Sequence, residues 1–66
     1  MNIPKLKGKM VEEGYSVDTL ATEIGIDRST LYRKLESVEK FTIREAQKIK
    51  EVLHLTNNEA SAIFFN

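Results

Sequence analysis

Within six consecutive positions, Arg28-Ser29-Thr30-Leu31-Tyr32-Arg33, the chain sets out five side chains able to hydrogen-bond a nucleobase. An arginine presents a planar fork of donors that matches both acceptors on the major-groove edge of guanine, a pairing worth about 1–3 kcal/mol of discrimination. Arg28 and Arg33 are therefore the leading base readers. Ser29 and Thr30 suit either kind of base, and Tyr32 offers a hydroxyl to a phosphate and a ring edge to a thymine methyl, or covers the edge of a core. On a helix, Ser29 and Arg33 lie near the centre of one face with Thr30 and Tyr32 beside it, while Leu31 and Leu35 point the other way. Arg28 lies nearer the inward side by angle but occupies the first turn, the part that enters a major groove most deeply. Lys34, Lys40 and Arg44 are assigned to phosphates, where a cation fixes register without reading sequence.

A reading helix must be held at a fixed angle by its neighbours, and the stretch SVDTLATEIGIDRSTLYRKL (residues 16 to 35) has the means. Ala21 is small enough to let a second helix cross closely over the first. Gly25, four residues on, suits a sharp turn at positive φ. Leu20, Ile24, Ile26, Leu31 and Leu35 would clamp the pair onto a core. Around this unit the spacing predicts a first helix from Ile3 to Glu13, with Gly14 as its stop. Ser16 caps a second helix that ends near Ile24, and the Asp27 carboxylate caps a third, Arg28 to about Ser37. Thr42-Ile43-Arg44-Glu45 and Thr56-Asn57-Asn58-Glu59 each have the form of a capping box opening a further helix. Ile43, Ala46, Ile49 and Leu53 form the expected apolar stripe of the fourth helix, and Ala60, Ile63 and Phe64 that of the fifth. Met10 and Phe41 join the core. His54 falls at the end of the fourth helix, where a cation complements the dipole. No sustained period-two alternation suggests a strand, so the fold class is all-α with five short helices.

The segments ATEIGIDRSTLYRKLES and FTIREAQKIKEVLHLTNNEASAIFF together resemble the compact, lambda-repressor-like DNA-binding domain of the phage repressor and Cro superfamily. The likeness is greatest to small prophage regulators of low-GC Gram-positive bacteria and covers nearly the whole chain. It implies one domain over residues 1–66 with the helix-turn-helix at about 16–36. It further implies a cytoplasmic, nucleoid-associated regulator that binds a pseudo-palindromic operator as a homodimer, as a repressor or a Cro-like switch component. Many relatives begin the second helix with a polar side chain that touches a phosphate. Here Val17 stands there beside Asp18, leaving Ser16 or the backbone N–H groups at the helix start for that contact. Consecutive helical residues point about 100° apart, so Phe65 cannot share the face of Phe64. Ile63 or Phe65 is accordingly expected in a small dimer interface.

The bulk numbers narrow the function. Sixty-six residues make one small domain with a modest core. The absence of cysteine removes disulfides and thiolate metal sites. The longest apolar run, AIFF at 62–65, is far short of the roughly 20 residues of a membrane span. Neither a glycine-rich phosphate loop nor a histidine beside a nucleophile is present, so an enzyme, a cofactor and a small-molecule ligand are not expected. With no ligand or self-cleavage domain after residue 66, a Cro-type protein is expected over a signal-responsive repressor. Ten basic and ten acidic residues give a formal net charge of zero, which is not the balance of a general nucleic-acid binder. The charges are unevenly placed, with Lys5, Lys7 and Lys9 near the start as solubilising groups and Arg28, Arg33 and Lys34 on the reading helix. The alternative that zero charge keeps open is a protein-interaction module on the same fold, such as an antitoxin.

Overall fold

A computed structural model describes residues 1–65. It has five helices, α1 (Ile3–Glu12), α2 (Val17–Ile24), α3 (Arg28–Leu35), α4 (Ile43–Val52) and α5 (Asn57–Phe64), and no strand among the described residues. Four of the five start on a side-chain cap. Asn2 accepts from the Lys5 N–H. Ser16, Thr42 and Thr56 accept from the N–H groups of Thr19, Glu45 and Glu59, whose side chains accept from the cap N–H in return. These pairings satisfy donors that a helix start otherwise leaves without partners. The exception is α3. Asp27 stands at its N-cap, and its main-chain carbonyl accepts from Leu31 at 3.0 Å, but its side chain makes no cap hydrogen bond. The carboxylate expected to cap this helix is instead exposed, where hydration competes with the cap.

The first four helices stop in the same way. Gly14, Gly25, Ser37 and His54 all adopt positive φ. The residue after each donates its N–H to a carbonyl five positions back: Tyr15 to Met10, Ile26 to Ala21, Val38 to Arg33 and Leu55 to Lys50, at 2.8–3.1 Å. This is a Schellman closure, which consumes carbonyls that the helix end leaves free. The two glycines stand where the sequence places stops. Ser37 does not extend α3, which ends at Leu35, and His54 lies past α4 with its Nδ1 3.1 Å from Glu13 Oε1. So His54 joins two turns rather than neutralising the last carbonyls of α4 through charge alone.

The hub is α2, which packs on α3 and α4, while α5 closes against α1 and α4. Ala21 is buried, as a close crossing requires, and the Asn2 N–H donates to the Ile63 carbonyl at 2.7 Å, tying the start of α1 to α5. The core comprises Ile3, Leu6, Met10, Leu20, Ala21, Leu31, Leu35, Ile49, Leu53, Leu55 and Ile63. Ile24, Ile26, Phe41 and Phe64 pack on it half-buried, the two phenylalanines edge to face at 5.8 Å. Two expectations are corrected here. Ile63 is 0% exposed, a member of the core on a helix that lies against both α1 and α4; it has no surface to offer a second subunit. Ile43 opens α4 at 74% exposure and belongs to the surface, not to the apolar stripe.

Candidate nucleic-acid interface

Two leucines orient α3. With Leu31 and Leu35 buried against the hub, the helix turns the opposite face outward. Arg28, Ser29, Tyr32 and Arg33 line one open depression on that face. Tyr32 is 58% exposed and therefore stands on this outward face instead of sealing the core. Thr30 is half-buried and lies outside that group of four.

The two arginines are held by carboxylates from outside the helix. Arg28 Nε lies 2.8 Å from Asp18 Oδ1 in the first turn of α2, and Arg33 Nε donates to Glu39 Oε1 at 3.1 Å from the loop that follows α3. Sequence reasoning noted Asp18 only as an acidic neighbour of Val17, and it did not single out Glu39. Neither pairing has a helical-period signature, since both cross a turn.

Lys34 is corrected from a phosphate ligand to a structural residue. It is 6% exposed, its ammonium sits 2.6 Å from Glu45 Oε1 and it lies 5.8 Å from the centroid of the Phe41 ring. A helical wheel places it beside Leu31 and Leu35; its charge suggested the surface, whereas its aliphatic stem follows the buried side. Burial pushes the Glu45 carboxyl up. The hydrogen bond from Lys34, the Thr42 amide and the attraction of the ammonium outweigh this and hold it below the usual 4.5. One carboxylate thus closes the cap of α4 and ties α3 to it.

The remaining cations differ in exposure and pairing. Lys40 and Arg44 are exposed and enter no ion pair among the described residues. Arg44 shares a cleft beside the helix-to-helix turn with Gly25, Thr42 and Lys48. Lys48 is one helical turn after Arg44, a spacing that could have marked it from the sequence. Ser16 is exposed, but its Oγ is engaged in the cap of α2. Among the N-terminal lysines, Lys9 is largely covered and bonds Glu59 at 3.0 Å and Glu12 at 3.1 Å, contacts that raise its pKa above the usual 10.5. Lys7 lies 3.6 Å from Glu36.

Between α4 and α5 a largely apolar recess is lined by Ile43, Ala46, Ala60, Phe64 and Phe65, with Gln47 and Lys50 at its edge and Phe65 77% exposed. No helix among the described residues is long and apolar enough to cross a membrane.

Residues 7–38, from within α1 to just past α3, match the helix-turn-helix domain of resolvase. No curated protein and no solved structure matches the chain. The fold is all-α with a helix-turn-helix, and the match supports a DNA-binding role in general; the match is to resolvases, not to the repressor and Cro superfamily that the sequence resembles.

Proposed function

We propose that this protein is a sequence-specific transcriptional regulator that lays α3 in the major groove and reads bases with Arg28, Ser29, Tyr32 and Arg33. Thr30 reaches a base edge only from the margin of that face. The observation that carries this reading is that one open depression gathers the four polar side chains while the opposite face of the same helix is buried. An exposed helix used only as a solvated surface has no need to cluster two arginines and a tyrosine. Lys40, Arg44 and Lys48 supply phosphate contacts, joined by Ser16 at the start of α2. Such contacts set register and give binding its salt dependence.

The reading extends to a Cro-like or repressor-type protein on a pseudo-palindromic operator, in the cytoplasm of a bacterial host. The apolar recess between α4 and α5 accepts a second copy, with Ile43 and Phe65 as the contacts. Phe65→Ala should weaken self-association or cooperative operator binding; unchanged behaviour in both removes the dimer.

Enrichment of random duplex DNA at near-physiological salt tests the whole reading. A palindromic motif that relaxes at one symmetric position in Arg33→Ala establishes direct readout by a dimer. Zero net charge favours one competing reading, an antitoxin-like interaction module. That module predicts no enriched motif and little DNA binding at any salt.

A further inference from the structure

We propose that Asp18 and Glu39 are positioning residues for base readout, each holding one arginine of α3 by its Nε edge so that the terminal Nη1–Nη2 edge meets guanine end-on. This rests on the reading of α3 as the recognition helix.

The nearest guanidinium atom is the same in both pairs although the elements and the bonding differ: Arg33 Nε donates a hydrogen bond to Glu39, whereas Asp18 holds Arg28 as an ion pair alone. Asp18 belongs to α2 and Glu39 to the loop after α3, yet each carboxylate makes its close contact at Nε, 2.8 Å from Arg28 and 3.1 Å from Arg33. A guanidinium has five N–H donors in a rigid fork, so a carboxylate at Nε leaves donors for a second partner, and two donors are what guanine O6 and N7 accept. The position of Arg28 adds a second argument. It is the first residue of α3, where the helix dipole disfavours a cation and no acidic residue of the first turn offsets it. The dipole gives no reason for an arginine there; Asp27 at the N-cap offsets the dipole, and the carboxylate that contacts the arginine itself is Asp18 on the neighbouring helix.

The carboxylates also discriminate between targets. An arginine that left its partner for a phosphate would bring a second anion beside Asp18 or Glu39, and like charges repel. An arginine on guanine meets neutral acceptors and keeps its carboxylate. The arrangement turns the arginines from backbone to bases, and it fits a DNA reader whose formal charge is zero. Long side chains fixed in advance also lose less freedom on binding.

The test compares enriched motifs and affinities across a small set of variants. Arg28→Ala and Arg33→Ala first locate the base pair that each arginine reads. Asp18→Asn should then lower the guanine preference at the Arg28 position about two- to fivefold, the scale of an exposed ion pair, and leave the Arg33 position unchanged. Glu39→Gln should do the reverse. Asp18→Glu should restore most of the preference, and Asp18→Asn should have no effect on preference in an Arg28→Ala background. Exposed pairs of this kind contribute little to folding, and a merely structural role would weaken binding to all sequences alike. Uniformly tighter binding with unchanged preferences would mean that the carboxylates only dilute positive charge, and the proposal falls. A motif that survives both arginine substitutions overturns the proposal while DNA recognition stands; no motif from the wild type removes both.

Discussion

The chain contains two units of the same plan, α2–turn–α3 and α4–turn–α5, and they differ in how well their second helix is built. Both open on a capping box and both turn through a left-handed residue, Gly25 in one and His54 in the other. Thereafter α5 follows every helix-building rule at its start: Thr56 caps it, Glu59 answers the cap, and an acidic residue lies in its first turn. By contrast, α3 has an N-cap side chain that makes no bond, no acidic residue in its first turn and a cation at its first position. The turn that closes it passes through Ser37, a non-glycine residue at φ 64°. Local rules are most often broken where a surface has another use, and the helix that breaks them here carries the clustered arginines. Helix α3 is held from inside, by Leu31, Leu35 and the Lys34–Glu45 pair.

The largest expected effect comes from removing that inner tie. Glu45→Ala leaves the Lys34 ammonium buried without its partner and opens the cap of α4, which should cost about 3–5 kcal/mol, read as a lower urea midpoint. Lys34→Met combined with Glu45→Gln keeps an acceptor for Thr42, removes both charges and should recover most of the loss. A loss below about 1 kcal/mol for the single variant would class the pair with exposed ones and leave the two leucines as the only anchors.

A smaller effect separates the two helix starts directly. Thr56→Ala should destabilise by about 1 kcal/mol, the usual value of a cap, while Asp27→Ala should cost less than half of that, because no cap hydrogen bond is lost. Equal losses in urea unfolding would erase the contrast between α3 and α5.

Much of this was legible in the sequence. Both capping boxes, the stops at Gly14 and Gly25, the small Ala21 and the leucine stripe of α3 are local signals, and each is found where its residue type predicts. What the sequence hid depends on contacts between elements. Lys34 was read by its charge, but its burial depends on Glu45 and Phe41 from the next helix and loop. Ile63 and Ile43 both fall at helical spacing with apolar neighbours, and only the folded packing shows that one is sealed and the other exposed. The carboxylates beside Arg28 and Arg33 lie ten and six residues away across turns, separations at which helical periodicity says nothing.

Acid should loosen the starts of α4 and α5 and, through Glu45, the tie that holds α3. The Thr56 amide and then Lys9 hold the Glu59 carboxyl below 4.5, and Glu45 is likewise lowered. A carboxyl with a depressed folded pKa contributes stability above its unfolded value, near 4.5, and loses it as pH falls through the folded value. Lys9 has the opposite sign: its contribution is complete below about 10.5 and disappears as pH rises through its raised value. Urea midpoints at pH 7 and below pH 4 should therefore fall further for the wild type than for Glu59→Gln. Parallel falls would detach the acid response from the start of α5.

The smallest expected effect is a gain at the far end of α3. A non-glycine residue in the left-handed region costs about 1–2 kcal/mol relative to glycine's easy access, partly offset by the greater freedom glycine has in the unfolded chain. Ser37→Gly should thus stabilise by about 0.5–1 kcal/mol, since the Val38-to-Arg33 closure is a main-chain bond that needs no side chain. His54→Gly has the same backbone benefit but gives up the contact with Glu13, so its gain should be smaller. Greater stability in Ser37→Gly with an unchanged DNA motif would place the weakness of α3 in its ends and its function on its face. A broadened motif in the same variant would show that the imperfect stop helps to set the angle at which Arg33 is presented.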